Sequence, residues 1–463
     1  MKRNQRLSTC GEGRKSRNRR RALPGGRIHA GQRGTMRLGA VIASLVIAVS
    51  SPAMTRADNL DFDTDFCGSV AVVDCGSGTA QRDSTGFASL SRTANRRATA
   101  GVRESLARRN TFHNSFAAPR AFEAGNVFAY LDQLPGEVHA SVQGVILRDA
   151  GHVRDIISQH AAGLSEAPDG RQRSGASGNR KPMTLAPGWR VWTRGYGSLV
   201  RVDGDGNGAS LETRGGGVLT GTEAYTPGGV LAGILAGYEL AGVAIDEHRS
   251  DTDIESFLVG TYISRTFGPV QVMAGSVLAK NEIGTTREVA FNGFSDTLTA
   301  DYRSSTFQLF GEAGYAVESG FVQLTPYAGL ALAYLDTDAF GEQGGDAALD
   351  VAASSQALGV STLGLRARRY IAGPWLGEAG LTLDGTVAWR HSFGDVTPGV
   401  TSSFAGGDPF DIQGAPLDEN TLLLHAGAIF DLSGRLAVSA TYHGEFGAAT
   451  SGNAFQAGLN LKF

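Results

Sequence analysis

From Gly188 to Phe463 the chain falls into twelve stretches that alternate apolar and polar residues, separated by Gly, Pro, Asp, Asn and Ser. They lie near 188–201, 212–226, 229–245, 253–266, 270–287, 298–317, 321–336, 355–370, 379–394, 420–432, 435–447 and 453–463. Alternation with a period of two marks a strand with one apolar face. In the last stretch Phe455, Ala457, Leu459, Leu461 and Phe463 point one way, and Gln456, Gly458, Asn460 and Lys462 the other. In the ninth, Leu383, Val387, Trp389 and Phe393 oppose Asp384, Thr386, Arg390 and Ser392.

One such strand fits a soluble sandwich as well as a barrel in lipid. Three features of the set select the barrel with its apolar face outward. The polar faces carry Gly233, Gly237, Glu239, Glu312, Asp384, Arg390 and Glu445, a mixture suited to a wet lumen. The stretches exceed the five or six residues usual for a strand, as a bilayer crossing demands. The connections also alternate in length. Those after even-numbered stretches are tight, such as Pro227-Gly228, Gly268-Pro269 and Ser433-Gly434, while the others are longer and more polar, the longest running from Asp395 to Asp418. Short periplasmic turns and long outer loops on an even strand number are the asymmetry of an outer-membrane barrel. The pattern therefore predicts an all-β fold, a 12-stranded antiparallel transmembrane β-barrel over 188–463, closed so that lipid meets no unpaired edge.

Average composition conceals this. Mean hydropathy is -0.11, which alone would suggest a soluble protein, but a barrel dilutes its apolar belt with polar loops and lumen. Gly is abundant, 64 of 463 residues. The net charge of -3 joins a basic leader, with 11 Lys and Arg against Glu12 in residues 1–36, to an acidic region with 15 bases and 30 acids from 188 onward. That distribution excludes a basic nucleic-acid-binding surface.

The apolar run Leu38–Val49, followed by Ser50, Pro52, Ala53 and Ala57, suits a signal peptide cleaved after Ala53 or Ala57. The basic residues before Met36 are either a long extension of that signal or the product of a start at Met36 rather than Met1. Residues 1–57 are thus assigned to leader and signal, and 58–125 to a short, poorly structured N-terminal segment with too little apolar content for a sizeable core. Cys67 and Cys75 enclose a small loop and are expected to pair as a local disulfide in an exported chain, the alternative being two free thiols. Residues 126–187 form a linker containing a helix. Val138, Val142, Val145, Ile146, Val153, Ile156 and Ile157 recur at helical spacing after Pro135, and a helix over 136–159 is long enough to run the height of a bilayer core. An amphipathic helix on a soluble domain is the competing assignment.

Taken in order, these residues resemble the autotransporter family, the type V secretion proteins of Gram-negative bacteria. Leu131-Asp132-Gln133-Leu134-Pro135-Gly136-Glu137-Val138 through His152-Val153-Arg154-Asp155 is similar to the family's lead into its pore helix. Trp192-Thr193-Arg194-Gly195-Tyr196-Gly197 is similar to the first barrel strand, Thr325-Pro326-Tyr327-Ala328-Gly329-Leu330 to the seventh, and Trp389-Arg390-His391-Ser392-Phe393-Gly394-Asp395 to the ninth. The terminal Phe463, with Phe455, Leu459 and Leu461, resembles the assembly signal. The resemblance implies a pore-spanning helix inside the barrel, linked to an N-terminal passenger at the cell surface. It also implies insertion into outer-membrane lipid by the barrel-assembly machinery, after passage through the Sec translocon and past periplasmic chaperones, as a monomer. Passengers of the family usually run to hundreds of residues, whereas only 58–125 remains here, which suggests a truncated one.

With the helix in the lumen, Arg190, Arg194, Glu239, Glu312, Asp384, Arg390 and Glu445 are expected to line it, some pairing with Arg148, Asp149, Arg154 or Asp155 of the helix. No catalytic motif, cofactor or metal is predicted. Asp203-Gly204-Asp205-Gly206-Asn207-Gly208 copies the first half of a calcium loop, but Arg214 stands at the twelfth position, where a bidentate Glu is needed. Asp61, Asp63 and Asp65 read as an acidic mature N-terminus, and His139, His152 and His160 have no fixed ligand spacing. Some family members cut their own linker at an Asn within the barrel, and residues 135–160 contain none. A free-standing porin, or an adhesin acting through its loops, is the alternative function.

Overall fold

The computed structural model describes residues 88, 91–109, 131–165, 188–291, 294–320, 322–371 and 380–463. Twelve long strands form one antiparallel barrel, each hydrogen-bonded to its neighbours in sequence. They are β1 (Trp189–Val202), β2 (Leu211–Tyr225), β3 (Leu231–Ile245), β4 (Ser250–Phe267), β5 (Val270–Phe291), β6 (Phe294–Tyr315), β7 (Val322–Thr337), β8 (Ser354–Ile371), β9 (Gly380–Gly394), β10 (Asn420–Asp431), β11 (Leu436–Phe446) and β12 (Thr450–Lys462). The first strand pairs with the last, from Arg190 opposite Lys462 to Val202 opposite Thr450, which closes the sheet. Closure satisfies every strand edge within the wall, the condition for backbone in hydrocarbon.

Burial alternates along the strands as the sequence pattern requires, with the apolar side outward. Phe257 and Val259 of β4 are each 56% exposed, and Leu330 and Leu332 of β7 are 66% and 62% exposed. These would be an aggregation-prone surface in water and are an anchoring belt in lipid. Leu383, Val387, Trp389 and Phe393 of β9 all face outward, as does Phe455 of β12.

Two strands run further than their alternation suggested. β5 and β6 are 22 residues each and turn tightly near Phe291 and Phe294, whose rings stack with centroids 4.6 Å apart. Above Leu278 the outward face of β5 changes to Lys280, Glu282, Thr286 and Glu288, so this hairpin projects beyond the apolar belt. The region 288–297, which falls between two of the alternating stretches, is mostly strand.

The long outer connections also carry structure that alternation did not reveal. Phe340–Gly341 and Leu349–Val351, between β7 and β8, join Gly399–Phe404 and Phe410–Gln413, between β9 and β10, in a separate four-stranded sheet. The polar loop expected over 395–418 is therefore a hairpin of this outer cap. Helix α1 (Ala94–Arg109) packs on the cap and gives defined structure to part of the segment read as poorly structured. A second hydrophobic core forms outside the barrel, from Ala100, Val102 and Leu106 of α1, from Leu131 and Leu134, and from cap residues such as Leu349, Phe404 and Ile412.

Helix α2 (Val138–Ser165) runs through the lumen and extends past the expected end at residue 159. Gly136, at φ +65, turns the chain into it, a left-handed conformation that glycine adopts freely. The seven apolar residues at helical spacing are all buried against inward side chains of the wall. Its N-terminal end lies among the long connections and its C-terminal end among the tight turns.

Candidate functional site

The lumen holds the helix at three levels. At the outer end the side chains of Arg287 and Glu342 are 2% and 1% exposed and meet as a fork, Nε to Oε1 and Nη2 to Oε2, both 2.6 Å. His139 of α2 donates from Nε2 to Glu342 Oε1 at 2.7 Å, and the Leu349 amide donates to Oε2 at 2.9 Å. Burial alone would raise the Glu342 pKa, but Arg287 and the His139 bond outweigh it and hold the carboxyl at about 2. Nearby, Glu137 accepts the Ala209 amide at 2.8 Å and lies 3.3 Å from His248. Burial pulls the His248 pKa down, the Glu137 carboxylate pulls it up, and the net shift is upward.

At mid-height Arg390 of β9 bonds Asp155 of α2. Glu445 stands 3.7 Å from Arg390, His443 3.8 Å from Asp155, and Arg154 3.6 Å from Asp155 along the helix. Glu312 accepts a forked bond from Arg366, 2.7 Å on the Nη2 side, and the same guanidinium lies 3.8 Å over the Tyr327 ring. Asp384 meets His425 at 3.3 Å. Asp149 and Glu239 line one small cavity beside the helix, and Arg148 reaches Thr213 at 3.3 Å instead of an acid of the wall.

At the inner end Glu223 gathers three side chains. The Tyr262 hydroxyl donates to Oε2, His160 of α2 lies 3.0 Å from the same oxygen, and Arg190 is 3.9 Å from Oε1. Trp192 donates its indole N–H to the Tyr262 hydroxyl at 2.8 Å. Arg194 is 3.4 Å from His160 Nδ1. Since a guanidinium can only donate, Nδ1 accepts and the Nε2–H is left to donate to Glu223. Gly233 lies under the Tyr262 ring, and a Cβ there would overlap it. Gly233→Ala is expected to displace the ring and its bond to Glu223 at a cost of about 1–3 kcal/mol. The check is a lower temperature at which the folded barrel converts to the unfolded band on a seminative gel.

Of the lumen residues named from sequence, Arg390, Glu445, Arg154 and Asp155 come together around the helix. Arg194 and Arg190 join through His160 and Glu223, while Glu312 and Asp384 pair within the wall rather than with α2. Glu223, Arg366 and Glu342 were not singled out. Glu223 has the inward parity of Leu219, a signal that could have found it, whereas the Arg287–Glu342 pair exists only because a loop folds back. Asp205 turns its carboxylate onto the amides of Asn207 and Gly208, at 2.9 and 2.7 Å, so the loop resembling a calcium site is closed by its own hydrogen bonds. The signal region, Asp61, Asp63, Asp65, Cys67 and Cys75 lie outside the described residues.

These contacts grip a helix inside a membrane pore. A model of the autotransporter β-domain family matches residues 191–443, more than half of the chain. An extracellular serine protease of Serratia marcescens is 28% identical over 334 residues, which cover 72% of this chain and 30% of that protein. The chain thus spans about a third of the length of the curated relatives it matches. Among solved structures, the translocator domain of the autotransporter NalP from Neisseria meningitidis superposes with a TM-score of 0.51 at 15% identity, covering 68% of this chain and 98% of that one. The β-domain of the Bordetella autotransporter BrkA gives 0.45 at 19% identity, covering 60% and 100%. Family match and fold agree with the closed barrel and the helix in its lumen, and together they place the chain in the outer membrane of a Gram-negative cell: it belongs to the autotransporter family.

Proposed function

We propose that this chain is the translocator of a type V secretion protein, a barrel that carries its own N-terminal segment across the outer membrane and anchors it at the cell surface. The observation that carries this is the direction of α2, which enters among the long connections and leaves among the tight turns, where β1 begins. A chain threaded that way has helix α1 and residues 131–137 on the outer side. Export through the Sec translocon, escort by periplasmic chaperones, insertion by the barrel-assembly machinery and a monomeric state in lipid belong to the same proposal. The serine protease activity in the names of the Serratia proteins is theirs. The barrel domain of this chain supports transport through charge pairs and aliphatic contacts.

Protease shaving of intact cells tests the proposal. An epitope inserted near residue 80 is expected to be removed from whole cells while the barrel remains. An epitope protected until the outer membrane is broken would place that segment in the periplasm and favour a free-standing porin.

A further inference from the structure

We propose that the exported segment is the lid of its own barrel, with residues 91–106 and 131–139 sealing the outer mouth independently of the helix plug below. The proposal rests on the translocator reading, since these residues reach the mouth only by export.

This one segment ties together most of the outer connections. Asn95 is 4% exposed and spends its backbone N–H and both ends of its side-chain amide on two of them. Its backbone amide donates to Asn207 Oδ1 at 2.9 Å, and its side-chain amide donates to the carbonyls of Asn207 and Gln413 at 3.2 and 2.7 Å. The Gln413 amide donates back to Asn95 Oδ1 at 2.9 Å. Glu137 holds Ala209 of the β1–β2 connection and His248 of the β3–β4 connection. Gln133 accepts from Arg287 and from the Ala290 amide, at 3.0 and 2.9 Å, at the tip of the β5–β6 hairpin. His139 bonds Glu342 between β7 and β8, and Ser105 donates to Asp408 between β9 and β10 at 2.7 Å. Five of the six outer connections therefore meet the same segment. The sixth, between β11 and β12, is bound by Asp418, which accepts the amides of residues 448–450.

Connections on opposite sides of a barrel can share partners only if those partners lie across its opening. Arg96 clasps Asp132 with two bonds of 2.6 Å, which joins the two halves of the segment into one piece. The apolar residues Ala100, Val102, Leu106, Leu131 and Leu134 complete the core above the mouth. Barrel loops supply the rest of that core, so it cannot form until the segment is outside.

The test measures access to the lumen from outside the cell. Ser256 is a buried wall residue lining the cavity beside α2. It is replaced by Cys in a chain whose Cys10, Cys67 and Cys75 are Ser, and whole cells are treated with a membrane-impermeant maleimide. Labelling is expected to be slow with the lid intact and at least ten-fold faster with Asn95→Asp and Ser105→Ala together. Arg96→Gln should accelerate it as well, in case the double variant is poorly assembled. All variants must still show heat-modifiable migration, and a Cys at the exposed Glu288 should label equally in each. Equal Ser256→Cys labelling in folded barrels with and without the lid substitutions would mean that the helix alone seals the pore and would overturn the proposal. A periplasmic epitope at residue 80 would instead overturn the translocator reading.

Discussion

Arg287→Ala is expected to dissolve the outer cap while leaving the twelve-stranded wall intact. The substitution removes both forked bonds to Glu342 and the bonds to the Gln133 and Ala347 carbonyls, and it leaves a carboxylate buried with only His139 and one amide. Removing one partner of a buried pair costs about 3–5 kcal/mol, because the remaining charge loses its compensation. That is comparable with the whole stability of a small subdomain. Arg287→Lys should recover only part of the loss, since a point charge cannot reproduce the fork. Limited proteolysis of the purified barrel reads the result. Cleavage in the cap strands should appear at protease levels that leave the wild type whole, with the wall still heat-modifiable. The same pair gives the cap an acid limit. The folded Glu342 pKa of about 2 lies below its ordinary value of 4.5, so its contribution is complete above about pH 4.5 and fades as pH falls toward 2. By linkage that contribution is on the order of 3 kcal/mol. Protection factors of the cap strands, which compare exchange with the intrinsic rate at each pH, should therefore fall between pH 4.5 and pH 3 in the wild type. A wild-type cap equally protected at pH 7 and pH 3 would show that the pair does not support it.

The wall was legible in the sequence because lipid leaves the chain little freedom. Every residue of a spanning strand faces either hydrocarbon or lumen, so Leu383, Val387, Trp389 and Phe393 had to share a face, as they do. The helix was legible for a related reason, since Val142, Val145, Ile146 and Val153 need an apolar stripe to face. The cap was not. Its strands are two to six residues long, too short for a periodic signal, and they pair between loops separated in sequence, as Val351 does with Ser402. Individual pairs in the lumen were only partly legible. Parity places Glu312 and Arg366 inward, but the choice between each other and the helix depends on the angular position of α2. That angle is set by packing, with α2 lying closest to β4, β5 and β6. On the other side Arg390 of β9 reaches Asp155 of α2, whereas Arg366 of β8 and Asp384 of β9 pair within the wall.

Deleting residues 140–160 in a chain whose lid is released by Asn95→Asp and Ser105→Ala should leave a folded barrel with a several-fold larger single-channel conductance. The wall is held by its own ladder, from Arg190–Lys462 round to Ser354–Thr337, and none of those bonds involves the helix. The deletion removes a cylinder about 10 Å across, the whole width of a helix with its side chains. Arg390 and Glu223 then face water, where hydration replaces the partners they lose, so the cost to the wall is small. In the deletion alone, the retained linker from residue 161 is long enough to thread the pore in extended form and leave the lid docked. The deletion combined with the two lid substitutions should therefore conduct more than either change alone. The lumen keeps Arg190, Arg194, Arg366, Arg368 and Arg390 against Glu223, Glu239, Glu312, Asp384 and Glu445, a balance that predicts weak selectivity between potassium and chloride. Planar-bilayer recordings give both quantities, conductance from step size and selectivity from the reversal potential in a salt gradient. A deletion variant that, with its lid released, conducts no more than the intact chain would mean that α2 does not fill the pore in the membrane.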